Sequence, residues 1–274
     1  MKKLLLGIAA SVVAASMCFT LAACNNGNNG NGGDNSVNSE ETWIKAFEDS
    51  VAATNYKFEQ KMTSTGKYNQ DGDLVDVVST NTLEYGYDGA GLKAYTKQES
   101  NTKIGNEDPK KRSVEMYLEV TDSTLIEYDY EDDVWEVDEE ECTDEEEAKA
   151  TFETYTGIAG LGSIMMSQYS GTGDKEDVTG TIAEIYSLFS YNSKTNVYSA
   201  TVKPVSAYVN YEMTLQISFK DGKLYKVIND YVYGEGDETT TNHLEITITY
   251  GGVSITIPQG AKDALESMNP DEEE

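Results

Sequence analysis

Apolar residues occupy every second position in several runs of this 274-residue chain, and this alternation constrains the fold more than any other feature. Successive side chains of a strand point to opposite faces, so a period of two indicates antiparallel strands with one buried and one hydrated face. Asp221-Gly222 separates two such runs and predicts a type I′ hairpin turn. The alternating apolar positions include Tyr56, Phe58, Leu83, Tyr85, Tyr87, Val114, Met116, Leu118, Val120, Met213, Leu215, Ile217, Phe219, Leu244, Ile246, Ile248, Val253, Ile255 and Ile257.

Four segments show helical spacing instead. One helix is predicted to begin near Ser39, a second after Thr143, and shorter ones at residues 181–188 and 261–268. The order of helix, strands, helices and strands predicts an α+β fold: a large, curled, half-barrel-like antiparallel sheet with the N-terminal helix and central helices packed on one face. The polar segment 101–112 is expected to form a loop.

The N-terminus carries a charged start, an apolar run and a small-residue pattern. Lys2 and Lys3 precede an apolar stretch over residues 4–20, which leads to Leu21-Ala22-Ala23-Cys24. This segment resembles the signal peptides of bacterial lipoproteins, whose lipobox is a leucine, two small residues and a cysteine. The resemblance implies that residues 1–23 are removed and that lipid on Cys24 anchors the protein to the extracytoplasmic face of the cell membrane. An uncleaved transmembrane anchor and an ordinary secretory signal are the alternatives.

The remainder divides by composition into a tether, a body and a tail. Residues 24–39 hold the lipidated cysteine and a run of Gly and Asn, which cannot bury a core and therefore form a flexible tether. Residues 40–268 are expected to form one domain, and residues 269–274 an acidic tail. The sequence leaves open whether the membrane is a Gram-positive cytoplasmic membrane or an outer membrane.

A large excess of acidic residues argues against a nucleic-acid partner. The chain has 49 Asp and Glu against 20 Lys and Arg, with a formal net charge of −29. Binding to nucleic acid depends on clustered basic residues that neutralise phosphates. An acidic body is also repelled by anionic headgroups, so lipid rather than a basic patch is expected to hold the protein at the membrane.

Residues that usually perform catalysis or bind metals are scarce. His243 is the single histidine, and Cys142 is the one thiol left after residues 1–23 are removed and Cys24 is lipidated. Hydrolytic triads need a base and zinc sites need several His or Cys ligands, so we expect a non-enzymatic protein with no catalytic residues, metal or cofactor.

The segment 129–147 is acidic at 13 of its 19 positions. Such a run can bind cations weakly or dock a basic partner. It can equally be the edge of a hairpin, protected from aggregation by charge, that leads into the first turn of a helix, where acids interact favourably with the helix dipole. The second interpretation needs no ligand and is preferred.

The layout of residues 40–258 is similar to that of the LolA-like and mycobacterial LppX/LprG-like half-barrel lipoproteins. Those proteins combine an N-terminal helix with a curled antiparallel sheet whose concave face is covered by helices. The resemblance implies that the covered cavity holds acyl chains, so a lipid or another hydrophobic ligand is an expected partner. No residue motif accompanies the layout, and no binding residue is carried over from the family.

The helix predicted after Thr143 and the segment that follows are the expected cover of this cavity. Gly157, Gly160 and Gly162 interrupt the helical pattern there, and flexible methionines beside glycines suit a mobile flap. The alternative function is that of an acidic surface interaction or scaffold lipoprotein with a filled core and no small-molecule ligand; its protein partners are not indicated. The candidate cover residues are Phe152, Tyr155, Ile158, Leu161, Met165 and Met166.

Overall fold

Eleven strands and three helices form the part of the protein that the computed structural model describes, namely residues 39–70, 73–159, 186–202, 213–235 and 237–268. All eleven strands belong to one antiparallel sheet, as the period-two pattern predicts. The helices are α1 (Glu40–Val51), α2 (Glu145–Ala159) and α3 (Gln259–Met268). The strands are β1 (Asn55–Gln70), β2 (Asp73–Asp88), β3 (Lys93–Ile104), β4 (Lys110–Thr121), β5 (Thr124–Glu131), β6 (Val134–Glu141), β7 (Ser190–Asn192), β8 (Val197–Val202), β9 (Met213–Lys220), β10 (Lys223–Glu235) and β11 (Glu238–Tyr250).

Two meanders, joined by a single long-range pairing, make up this sheet. The strand order is β6-β5-β4-β3-β2-β1-β11-β10-β9-β8-β7. Strands β1 and β11 pair in register from Tyr56↔Tyr250 to Gly66↔Thr240, which brings the two ends of the strand sequence together. The edge strands β6 and β7 are not paired with each other, so the sheet is not closed.

Tight turns between strands have the backbone geometry that their residues favour. Asp221 and Gly222 have φ values of 53° and 73°. Positive φ at both central positions is what a type I′ turn requires, so the predicted hairpin is confirmed. Asp132 and Asp133 make a second turn of this kind between β5 and β6, with φ values of 52° and 65°.

The loop predicted at residues 101–112 is wrong. Strand β3 continues to Ile104 and β4 begins at Lys110, so the connection is limited to residues 105–109. Polar residues on both faces conceal the alternation here, but Asn101 still pairs with Lys111 across the ladder. Strand pairing therefore overrides the weak local preference of these residues.

Helix α1 packs against the centre of the sheet and confirms the helix predicted near Ser39. The Ser39 hydroxyl accepts a hydrogen bond from the Thr42 backbone N–H at 3.2 Å, which caps the first turn. At the other end, Ser50 Oγ accepts a hydrogen bond from the Leu224 N–H at 2.8 Å and so joins the helix to β10. Trp43 and Phe47 are buried against side chains of β1, β2, β8, β9, β10 and β11: Tyr56, Phe58, Leu83, Tyr85, Tyr198, Leu215, Ile217, Phe219, Leu224, Val227, Leu244, Ile246 and Ile248.

Helix α2 covers β3, β4 and β5 on the same face as α1, which we call the helix-covered face. The helix starts as predicted after Thr143, where Asp144 Oδ1 accepts a hydrogen bond from the Glu147 N–H at 2.9 Å. Phe152 stacks on Tyr87 of β2 with ring centroids 5.9 Å apart. This contact places α2 beside the aromatic cluster of α1.

The opposite face is covered at one end by the C-terminal segment. The predicted helix near residue 261 is confirmed as α3, and it packs with Ile255 and Ile257 against β4, β5 and β6. The alternating run at Val253, Ile255 and Ile257 forms no strand, although Ile255 and Ile257 are buried. The strand that the alternation predicts here is therefore wrong, although the burial of its apolar residues is confirmed.

Candidate functional site on the helix-covered face

An apolar surface lies on the sheet beneath α2. It is formed by alternate residues of neighbouring strands, because antiparallel register places Ala94 opposite Leu118 and Thr96 opposite Met116. Phe152 of α2 lies against this surface and is fully buried. We define the apolar wall as Ala94, Met116, Leu118, Leu125 and Phe152.

The structure places two of the six predicted cover residues at this wall. Phe152 belongs to it, and Tyr155 is half-buried beside it with its hydroxyl donating a hydrogen bond to Glu140 Oε2 at 3.2 Å. Ile158 belongs to the last turn of α2, but its side chain lies outside the described residues. Leu161, Met165 and Met166 also lie outside them, so the flap remains a prediction.

Two carboxyl groups of β5 lie on the helix-covered face next to the wall. Leu125, Glu127 and Asp129 alternate along β5 and therefore share this face. The register places Glu127 between Leu118 of β4 and Asp138 of β6. Glu127 is only 5% exposed, which is unusual for a glutamate.

The two carboxyl groups hydrogen-bond to each other but have no cationic partner among the described residues. Glu127 Oε1 and Asp129 Oδ1 are buried without a hydrogen bond, and no ion pair between described residues involves either side chain. Burial raises the pKa of Glu127, and the neighbouring charge of Asp129 raises it further. Burial also raises the pKa of Asp129. The fold therefore holds two carboxyl groups that ionise at a free-energy cost.

Sequence reasoning missed this pair. Glu127 precedes the acidic run at residues 129–147, and Asp129 was one acid among many there. The available signal was parity, because Glu127 falls two residues after the apolar Leu125, at a position where the pattern calls for an apolar side chain. A charged residue on the buried parity of a strand indicates either a partner or a function.

We expect the substitution Glu127→Gln to stabilise the ligand-free protein by about 1–2 kcal/mol at pH 8, because it removes a buried charge and lets an amide donate to Asp129. The raised pKa of Glu127 means that protonation stabilises the wild type. This contribution is complete below the unfolded-state pKa and is lost as pH rises through the folded-state pKa. The gain from Glu127→Gln should therefore shrink as pH falls from 8 to 5.

Urea denaturation of both proteins across this pH range measures the difference. Glu141→Gln, on the neighbouring edge strand β6 and exposed, is the matched control and should change stability little at any pH. A stability difference between wild type and Glu127→Gln that does not vary with pH would contradict the assignment.

The opposite face carries a groove of about 420 Å³ across β11, β1, β2 and β3. Charged residues in and beside it satisfy one another: Lys57 pairs with Glu84 at 3.1 Å, and the Tyr95 hydroxyl donates to Glu84 at 2.6 Å. Burial alone would raise the pKa of Glu84, but these two partners hold it below its usual value. Cross-strand pairing of this kind stabilises a hydrated sheet face and leaves little unmet binding capacity.

The single histidine and the cysteine of the described residues lie apart from the carboxyl pair. His243 Nδ1 contacts Asp230 Oδ1 at 2.6 Å on the exposed side of β10 and β11, and Cys142 is a half-buried free thiol after β6. Within the described ranges, His, Cys, Asp and Glu side chains form no group of three that could hold a metal ion. None of the described helices has the length and apolar character needed to span a bilayer.

Comparisons with known proteins find little that is similar. No family model and no curated protein matches the chain. A solved structure from Brucella abortus, described as a beta-barrel-like protein of the domain of unknown function DUF1849, is similar with a TM-score of 0.22 and 10% sequence identity. The match covers 73% of this chain and 98% of that one.

Proposed function

We propose that this chain is a membrane-anchored extracytoplasmic lipoprotein that binds a hydrophobic or amphiphilic ligand on the helix-covered face, beneath α2. In this proposal the sheet curls as a half-barrel around the helices. The observation that carries it is the apolar wall bordered by the buried Glu127 carboxyl group, whose Oε1 has no hydrogen-bond donor. A filled core with no ligand gains nothing from such a group, because an unpaired buried carboxylate costs free energy.

A second candidate, a scaffold lipoprotein with a filled core, is favoured by the tight packing around α1. Trp43 and Phe47 are 0% and 1% exposed, so this part of the face is already occupied by aromatic side chains. The two candidates differ only in the region under α2. Binding experiments on that region therefore separate them.

We expect the chain from residue 25 onward, which retains every described residue, to bind an apolar fluorescent probe saturably. Burial of an acyl chain or probe against the wall contributes roughly 25 cal/mol per Å² of apolar area. Fluorescence titration with N-phenyl-1-naphthylamine measures binding, and mass spectrometry of solvent extracts identifies lipid that co-purifies. The absence of both saturable binding and extracted lipid would favour the filled-core scaffold.

Membrane attachment through Cys24 has its own test. We expect Cys24→Ala to abolish incorporation of labelled fatty acid and to leave the precursor unprocessed, because the thiol is the acceptor of the lipid. Cys142→Ala removes the other cysteine of the mature chain and should incorporate label at the wild-type level. Equal labelling of wild type and Cys24→Ala would contradict lipid anchoring at this position.

A further inference from the structure

The apolar wall ends at a row of acidic side chains on β5 and β6. Asp138 is opposite Glu127 and Glu136 is opposite Asp129, so all four share the helix-covered face. Clusters of acidic side chains are common on a protein with 49 Asp and Glu residues, so the cluster alone does not indicate a site. Glu127 differs because it is only 5% exposed and its Oε1 has no hydrogen-bond donor.

Glu127 lies on the face of the sheet that α2 covers, because it shares its parity on β5 with Leu125 of the apolar wall. Burial and the charge of Glu140 raise the pKa of Tyr155 on that helix, and the charge of Glu127 raises it further. This influence agrees with the parity of β5, which places Glu127 on the face of the sheet that carries the apolar wall and α2. Lys149 is the one cationic residue within α2, and it pairs with Glu153 rather than with Glu127.

We infer that the ligand beneath α2 is an amphiphile with a protonated amine as its head group, and that Glu127 and Asp129 bind this amine while the apolar wall binds its chain. The inference rests on the proposed function and names the chemical class of its ligand. An alkylammonium group has three donors and no acceptor, which matches carboxylate oxygens that lack donors. Charge-assisted hydrogen bonds of this type are roughly twice as strong as neutral ones.

Other head groups fit this site less well. A hydroxyl supplies a donor but no opposing charge, and a carboxylate is repelled by the acidic row. The net charge of the chain, −29, also concentrates cations rather than anions near the protein. Besides each other, the titratable groups that face the pair from β6 and α2 are Glu136, Asp138, Glu140 and Tyr155.

Competition between matched amphiphiles tests the head group. Decylamine, decanol and decanoate share one chain length and are titrated against bound N-phenyl-1-naphthylamine on the chain from residue 25, at pH 8. We expect decylamine to displace the probe at a concentration about tenfold lower than decanol, and decanoate to be the weakest. Lowering the pH to 5 protonates the pair and should reduce the advantage of decylamine.

Substitutions of Glu127 and Asp129 test whether these two residues cause the preference for decylamine. Glu127→Gln and Asp129→Asn should each bring decylamine to within about twofold of decanol, whereas Glu141→Gln should retain the wild-type preference. Should Glu127→Gln fail to fold, Asp129→Asn provides the same test. Probe binding with no preference for decylamine in the wild type, or a preference retained in both variants, overturns the amine assignment and leaves the proposed function intact. The absence of both probe binding and co-purifying lipid overturns the proposed function.

Discussion

Substitution of Trp43 by alanine is expected to destabilise the protein by about 3–5 kcal/mol, the usual cost of removing a large aromatic side chain from a core. The indole is fully buried between α1 and the sheet. Its ring centroid lies 5.0 Å from that of Phe47, 4.8 Å from that of Tyr198 and 5.2 Å from that of Phe219. Alanine at this position would leave a cavity where the indole now contacts all three rings.

The second tryptophan provides the control for this experiment. Trp135 is half-buried on the opposite face, beside α3, where the remaining space is open to solvent on one side. We therefore expect Trp135→Ala to cost clearly less than Trp43→Ala. Urea denaturation followed by circular dichroism compares them without relying on tryptophan fluorescence. Equal losses, or a loss below about 1 kcal/mol for Trp43→Ala, would contradict a core centred on Trp43.

Substitution of Gly66 by alanine is expected to disrupt the pairing between β1 and β11. A Cβ atom at this position would lie 2.1 Å from the backbone oxygen of Thr239 and 2.6 Å from the Thr240 Cα. Backbone atoms cannot rotate away as a side chain can, so the strands must separate locally. Overpacking of this kind costs about 1–3 kcal/mol, and we expect the upper end of that range.

Gly157 is the matched control because an added Cβ there meets nothing within 4 Å. It lies inside α2, where alanine is favoured over glycine by about 0.5–1 kcal/mol, so Gly157→Ala should stabilise the protein. Thermal denaturation of the two variants should therefore give shifts of opposite sign. A Gly66→Ala protein as stable as the wild type would contradict the close approach of β11 to Gly66.

Only the helical part of the candidate site was predictable. Phe152 and Tyr155 were identified because helical spacing after Thr143 placed them on one apolar face, and that face contacts the sheet. Glu127 and Asp129 were not, because their burial depends on which strands lie beside β5 and on α2 above them. The sequence shows the parity of Glu127 but contains no local signal that its face would be covered.

The sequence by itself determined the elements whose causes are local. The start of α1 at Ser39 follows from its capping hydroxyl, the turn at Asp221-Gly222 follows from residues that accept positive φ, and the strands follow from alternation. Tertiary structure alone decided which elements became neighbours. The pairing of β1 with β11 and the packing of α3 on the opposite face both join residues that are distant in the chain. The burial of Glu127 depends on contacts of the same kind. Local preferences specify the shape of each segment, but the free energy that selects a partner comes from burying surfaces that exist only once the segments meet.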